Sequence, residues 1–174
     1  MINVVTLAFL AALPNPFRDL PFFHPHDVHT SRYGIQGWRL DVHKDAFAEH
    51  TACELQRGPV SVRRGVATFR FGDGVDTANA VMRVDGGPPQ NVGLHAVEAA
   101  GLGAPMLGGD LGNPSGGRVA VPLRLLAGAH EVDLRPVKWH DHRQFKLDGL
   151  EAALQAAQGQ GCDIAPQTPP PVRP

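Results

Sequence analysis

Clusters of glycine and proline restrict the fold of this chain more than any other feature of its sequence. The 174 residues include 20 glycines and 16 prolines, about one residue in five, whereas globular proteins average about 12%. Both residues destabilise helix interiors, so the composition excludes a bundle of long helices. They concentrate in four regions, at 14–25, 86–89, 101–117 and 166–174. Glycine and proline this frequent favour many short strands joined by tight turns.

Alternation of apolar and polar side chains predicts about seven short strands between the clusters. Examples are 35–43 and 66–71, and in the first of these Trp38, Leu40 and Val42 alternate with polar residues. The order of elements lacks the regular strand–helix alternation of a parallel sheet. The sequence therefore predicts a mainly β fold, either an antiparallel β-sandwich or a partly open barrel, with a C-terminal α-helix.

The C-terminal helix has the clearest signals in the chain. Asp148 is the predicted N-cap, and Glu151, three residues later, completes a capping box. Leu150, Leu154 and Ala157 form one apolar stripe at helical spacing. We expect this helix to pack on the β-domain through that stripe.

The two ends of the chain are predicted to lie outside the domain. Residues 1–13 lack charged side chains and include an apolar run typical of a signal peptide, too short for the about 20 residues of a membrane span. A buried N-terminal strand is the alternative for this run. Residues 14–33 are predicted to be a proline- and histidine-rich strap or linker, 34–163 a single β-rich domain, and 164–174 a disordered proline-rich tail. These features indicate a periplasmic or secreted protein without a transmembrane span in its mature chain.

The chain contains two cysteines, Cys53 and Cys162, separated by most of the domain. They belong to no C-x-x-C pair and to no cysteine–histidine pattern with zinc-finger spacing. In an oxidising compartment we expect them to form a disulfide that ties the C-terminal helix to an early strand. The alternative is two unrelated buried thiols.

The charge balance argues against a nucleic acid as partner. The chain has 16 Lys and Arg residues and 17 Asp and Glu residues, for a net charge of −1. Nucleic-acid-binding domains instead have a basic surplus on one face.

Motifs for catalysis are missing as well. Ser115 lies in a glycine-rich turn and lacks the strand-to-helix G-x-S-x-G context of a hydrolase nucleophile. The glycines at 108–112 have neither the GK[ST] ending nor the following helix of a phosphate-binding loop. A small hydrolase is therefore the least favoured function for this chain.

Histidines form a candidate metal site. His24, His26 and His29 fall within six residues, and His140 and His142 flank an aspartate in a predicted hairpin loop. Neutral imidazole is a good ligand for Zn and Cu. If the strap crosses the hairpin, the two clusters would form a single Zn or Cu site. The alternative is a polar strap and a polar turn, which need none of the fixed geometry that a metal site requires.

Four short phrases resemble the invasion-associated locus B family of exported bacterial proteins. They are Gly37-Trp38-Arg39-Leu40, Ala52-Cys53-Glu54-Leu55, Val84-Asp85-Gly86-Gly87-Pro88-Pro89-Gln90 and the strand-to-helix unit Phe145-Lys146-Leu147-Asp148-Gly149-Leu150-Glu151-Ala152-Ala153-Leu154. Two features of the family pattern, a cysteine soon after the tryptophan and a mid-domain cysteine pair, are missing here. The resemblance implies an exported, envelope-associated, non-enzymatic β-domain, and it implies no catalytic residues.

The expected function is that of an exported, non-catalytic β-domain of the envelope or periplasm that mediates a protein interaction. Either the edge of a strand or the glycine-rich loop at 101–117 would be its contact surface. The alternative function is periplasmic binding of Zn or Cu through the histidine clusters.

Overall fold

Two antiparallel sheets dominate the computed structural model, which describes residues 28–46, 49–72, 74–77, 79–95, 99, 102, 117–136 and 142–164. The strands are β1 (Val28–Ile35), β2 (Trp38–Asp45), β3 (His50–Arg57), β4 (Val60–Arg63), β5 (Val66–Arg70), β6 (Val81–Val84), β7 (Gln90–Asn91), β8 (Arg118–Pro122), β9 (Glu131–Arg135) and β10 (Arg143–Lys146). The first sheet has the order β1-β2-β3-β4-β5-β8, and the second has the order β10-β9-β6-β7. The predicted mainly β, sandwich-like fold is confirmed. Neither sheet closes into a barrel within these ranges.

The apolar face of the first sheet, called the inner face below, is the centre of the core. Trp38, Leu40 and Val42 on β2 are buried in this face, because alternate side chains of a strand point to the same side. The second sheet packs on the β5 end of this face. There the ring of Phe145 on β10 meets that of Phe69 on β5 edge-on, with 5.0 Å between centroids.

A helix, α1 (Leu150–Gly159), packs on the other end of the inner face. It contacts β1, β2 and β3, and its buried residues are Leu150, Ala153 and Ala157. Leu154, which belongs to the predicted apolar stripe, is only half-buried. Ala153, one position earlier, faces the sheet instead, and its small side chain lets the helix lie close to the strands.

The Cys53–Cys162 disulfide joins β3 to the segment that follows α1. Both cysteines are buried, and Ile164, two residues further on, is fully buried as well. The disulfide predicted from the sequence is therefore present, and it ties the end of the helix to the first sheet across 109 residues of chain.

The start of α1 differs from the prediction. The N-cap is Gly149, at φ 76°, and no side chain caps the helix, so the predicted Asp148 N-cap and Glu151 capping box are wrong. The carbonyl of Asp148 instead accepts a hydrogen bond from Trp38 Nε1 at 3.0 Å. A β-carbon added at Gly149 would lie 2.7 Å from the β-carbon of Gln36. The chain enters the helix against the turn between β1 and β2, where only glycine fits.

That turn corrects a second prediction. Gln36 and Gly37 have φ of 46° and 85°, the pair of positive values of a two-residue type I′ turn. The segment predicted as one strand at 35–43 is therefore two strands, since Ile35 ends β1 and Trp38 begins β2. The sheet also begins at Val28, earlier than the domain boundary predicted at residue 34.

Several predicted segments lie outside the described residues. They are the signal peptide at 1–13, the strap up to residue 27 and the tail from residue 165. In the described ranges, no helix is both long enough and apolar enough to cross a bilayer.

Reduction of the disulfide should lower the free energy of unfolding substantially. In the chain-entropy account, a disulfide that closes a loop of this length adds about 4–5 kcal/mol to the free energy of unfolding. Urea titration of the oxidised protein and of a Cys53→Ala/Cys162→Ala variant measures the difference. Equal midpoints for the two proteins would contradict the structural importance of this link.

Gly149→Ala should destabilise the protein by at least about 2 kcal/mol, because it combines a left-handed backbone with a clash against the turn. Gly159→Ala is the matched control, since an added β-carbon there meets no atom within 4 Å. The control should leave the thermal midpoint unchanged or raise it slightly. A similar loss of stability in both variants would show that the approach to Gln36 is unimportant.

Candidate functional site

Strand β1 forms one edge of the six-stranded sheet and is exposed along its length. Its eight residues pair without interruption with β2, from Val28 opposite Asp45 to Ile35 opposite Trp38. Seven of the eight are exposed, and Ile35 is half-buried. No strand in the described part of the chain pairs with the other side of β1. The strand therefore presents a row of backbone amide and carbonyl groups to which a further strand can pair.

The two-residue turn determines which backbone groups face away from β2. Residues that flank such a turn exchange both of their hydrogen bonds, and bonded and non-bonded pairs then alternate along the ladder. The register of β1 and β2 follows directly from this turn. It places the N–H and C=O groups of Val28, Thr30, Arg32 and Gly34 on the outward side of β1.

The other described edge strands are short or chemically protected. β7 has two residues, β8 has five and ends in Pro122, and β10 has four with a cation at each end, Arg143 and Lys146. Short length, proline and charge are the features that prevent pairing between sheet edges. β1 has eight residues, an unbroken register and no proline, and its one arginine, Arg32, is bound to Asp41 on β2. Among these edges it is the least protected against an added strand.

Arg32 and Arg39 share a single carboxylate on the outer face of the first sheet, the face opposite the core. Arg32 Nε lies 2.7 Å from Asp41 Oδ1, and Arg39 Nε lies 3.0 Å from Asp41 Oδ2. The hydrogen bond from Arg32 and the charges of both guanidinium groups outweigh the effect of burial and lower the pKa of Asp41. Glu54 lies opposite Asp41 on β3 and is 3.8 Å from Arg63. Asp41 is thus the carboxylate that Arg32 contacts.

On the inner side, β1 is attached to the end of α1. The hydroxyl of Tyr33 donates a hydrogen bond to Oε1 of Gln160 at 3.3 Å, and Ile35 packs against the core. The strand is therefore supported by the helix as well as by β2, while its outward edge keeps its backbone groups exposed.

A groove of about 470 Å³ lies between the start of α1 and the 3-10 turn at Leu123–Leu126. Its lining includes Leu147, His130 and Asp148. His130 Nδ1 is 3.8 Å from Asp148 Oδ1, and both side chains are largely exposed. Among the described residues, no serine or cysteine lines this groove, so none of them places a nucleophile of these types beside the histidine and the carboxylate.

The histidines predicted as metal ligands do not all lie in the part of the chain that the structure describes, and the two that do lie in or next to different sheets. His29 lies in β1, His142 immediately precedes β10, and His24, His26 and His140 lie outside the described residues. Within the described ranges, no group of three or more His, Cys, Asp or Glu side chains is arranged to hold a metal ion. The Zn or Cu site stays a prediction. Ser115 also lies outside the description.

The edge at β1 has only a weak signal in the sequence. The segment VHTSRYGI is exposed on both faces, so it lacks the alternation that identifies a half-buried strand. The local signal is the dipeptide Gln36-Gly37, which places glycine at the second position of a two-residue turn. Reading that dipeptide as a hairpin would have predicted β1.

Comparisons with protein-family models, with curated proteins and with solved structures find no match for this chain. The function is therefore inferred from the geometry and chemistry of the described residues.

Asp41→Asn should lower the free energy of unfolding at neutral pH, because it removes the carboxylate that both guanidinium groups bind. Folding lowers the pKa of Asp41 from its ordinary value of 3.8. The stabilisation is therefore fully present above that value and is lost as the pH falls through the lower, folded-state pKa. Urea titrations of both proteins should show their difference shrinking below about pH 4. A difference that stays constant down to about pH 2 would contradict this role.

Proposed function

We propose that this protein is an exported, non-catalytic β-domain of the cell envelope that binds a protein partner by strand addition to β1. The observation behind the proposal is the contrast among the described sheet edges. β1 offers eight paired residues with exposed outward backbone groups, whereas the other edges are short or protected. Strand addition is a common mode of peptide recognition, in which main-chain hydrogen bonds provide the affinity.

The disulfide supports the exported location. Disulfides persist in oxidising compartments such as the periplasm and are rare in the reducing cytosol. The Cys53–Cys162 bond also fixes the end of α1, on which the inner side of β1 rests. The resemblance to the invasion-associated locus B family points to the same compartment. Membership of that family is part of this proposal.

The groove between α1 and the 3-10 turn lacks an assembled catalytic centre among the described residues, which favours a binding function over an enzymatic one. Its histidine and aspartate are largely exposed, and in the described part of the chain no buried side chain contacts the imidazole or the carboxylate. In hydrolases of the serine type, the base contacts a nucleophile and is oriented by a third group.

Photo-crosslinking in cells of the native source tests both parts of the proposal. A photoreactive amino acid replaces Val28, which is 55% exposed on β1, or Leu94, which is 79% exposed in another part of the fold. We expect an adduct of discrete mass from position 28 and none from position 94. The adduct should be found in the periplasmic or envelope fraction.

Two variants at Thr30 make the test specific for strand addition. Thr30→Pro and Thr30→Val both remove the hydroxyl that contacts His43 Nδ1 at 3.0 Å, but only proline removes the outward N–H. Because that N–H is not part of the β1–β2 ladder, the proline is compatible with an edge strand. The adduct should disappear in Thr30→Pro and persist in Thr30→Val. An adduct that survives in Thr30→Pro, or its absence from the wild-type protein, would overturn the proposal.

A further inference from the structure

We infer that the partner segment is acidic: an extended strand in which carboxylate and apolar side chains alternate, with the carboxylates beside Arg32. The inference rests on the proposed strand addition at β1 and specifies the chemistry of what is added. It follows from the charge on the outer face, the charge on β1 itself and the packing on the inner side.

Among the residues that the structure describes, the guanidinium group of Arg32 has donors left for a ligand. It contacts Asp41 through Nε alone, and its side chain is 66% exposed. Arg39 uses Nε for the same carboxylate and donates through Nη2 to the side chain of Gln56. Because β1 is the edge strand and the side chain of Arg32 is largely exposed, its terminal amino groups can bind a carboxylate of an added strand. Such hydrogen bonds between charged groups are stronger than neutral ones.

The composition of β1 favours an acidic strand over a second copy of this chain. β1 contains His29 and Arg32 and no carboxylate. Pairing of β1 with β1 of another copy would place two such strands side by side, and like charges close together across strands are destabilising. A strand with carboxylates on the outer face would instead meet the exposed guanidinium group of Arg32.

The inner side of β1 favours apolar residues at the alternate positions of the added strand. Successive side chains of a strand point to opposite faces, so residues between the carboxylates would lie on the side of Tyr33 and Ile35. Tyr33 is 39% exposed there, and Ile35 contacts the core. Apolar side chains at these positions would extend the layer that α1 begins over β1.

Peptide binding measured by fluorescence anisotropy tests the inference with the purified, oxidised protein. Three labelled synthetic peptides have the same length and alternate valine with glutamate, glutamine or lysine. We expect the glutamate peptide to bind about tenfold more tightly than the glutamine peptide, as a charged hydrogen bond supplies. The lysine peptide should bind most weakly of the three.

Two arginine variants assign the effect to the edge. Arg32→Gln should abolish the preference for the glutamate peptide. Arg63→Gln is the matched control, since Arg63 is also on the outer face, is 53% exposed and lies 3.8 Å from the carboxylate of Glu54, but belongs to the interior strand β4. Arg63→Gln should retain the preference. Thermal midpoints of both variants establish that each is folded.

The outcomes separate this inference from the proposed function. Equal affinity for the three peptides, with binding lost in Thr30→Pro, would overturn the acidic preference and leave strand addition in place. Glutamate-peptide binding that survives in Thr30→Pro would contradict strand addition as well. If the glutamate peptide does not bind, the acidic partner is ruled out. If sedimentation without peptide gives the mass of two chains, and Thr30→Pro returns it to the mass of one chain, the occupant of the edge is a second copy of this protein.

Discussion

The inner face of the first sheet must be covered across six strands, and the rest of the structure depends on how this happens. The second sheet has four strands and packs at the β5 end, while α1 covers β1 to β3. A helix of ten residues is too short to be stable alone in water. Its position is maintained by the disulfide at one end and by the bond from Trp38 to the Asp148 carbonyl at the other.

This arrangement explains why β1 is both well supported and open. Two elements secure the strand, β2 through a continuous ladder and α1 through Tyr33. Neither of them covers the outward backbone groups. An exposed edge of this length carries a risk of unwanted pairing, and the largely exposed Arg32 at that edge adds selectivity for a complementary partner. A strand that is held in place by β2 and α1, and that has a charged side chain at its open edge, has the properties expected of a binding strand.

Local patterns predicted the core well and the edge poorly. The alternation of Trp38, Leu40 and Val42 predicted their burial because each faces the core. β1 has no such pattern, since both of its faces are exposed. The N-cap at Asp148 was a sound local prediction that failed because Gln36, distant in sequence, packs against Gly149. Which strand is an edge depends on long-range pairing, and alternation within a single strand contains no information about that order.

Amide hydrogen exchange followed by NMR in the isolated protein tests the open edge most directly. The account predicts alternating protection along β1. The amides of Ser31, Tyr33 and Ile35 bond to β2 and should exchange slowly, while those of Thr30, Arg32 and Gly34 should exchange rapidly. Slow exchange at both sets would show that another part of the protein already covers this edge, and it would contradict binding by strand addition at β1.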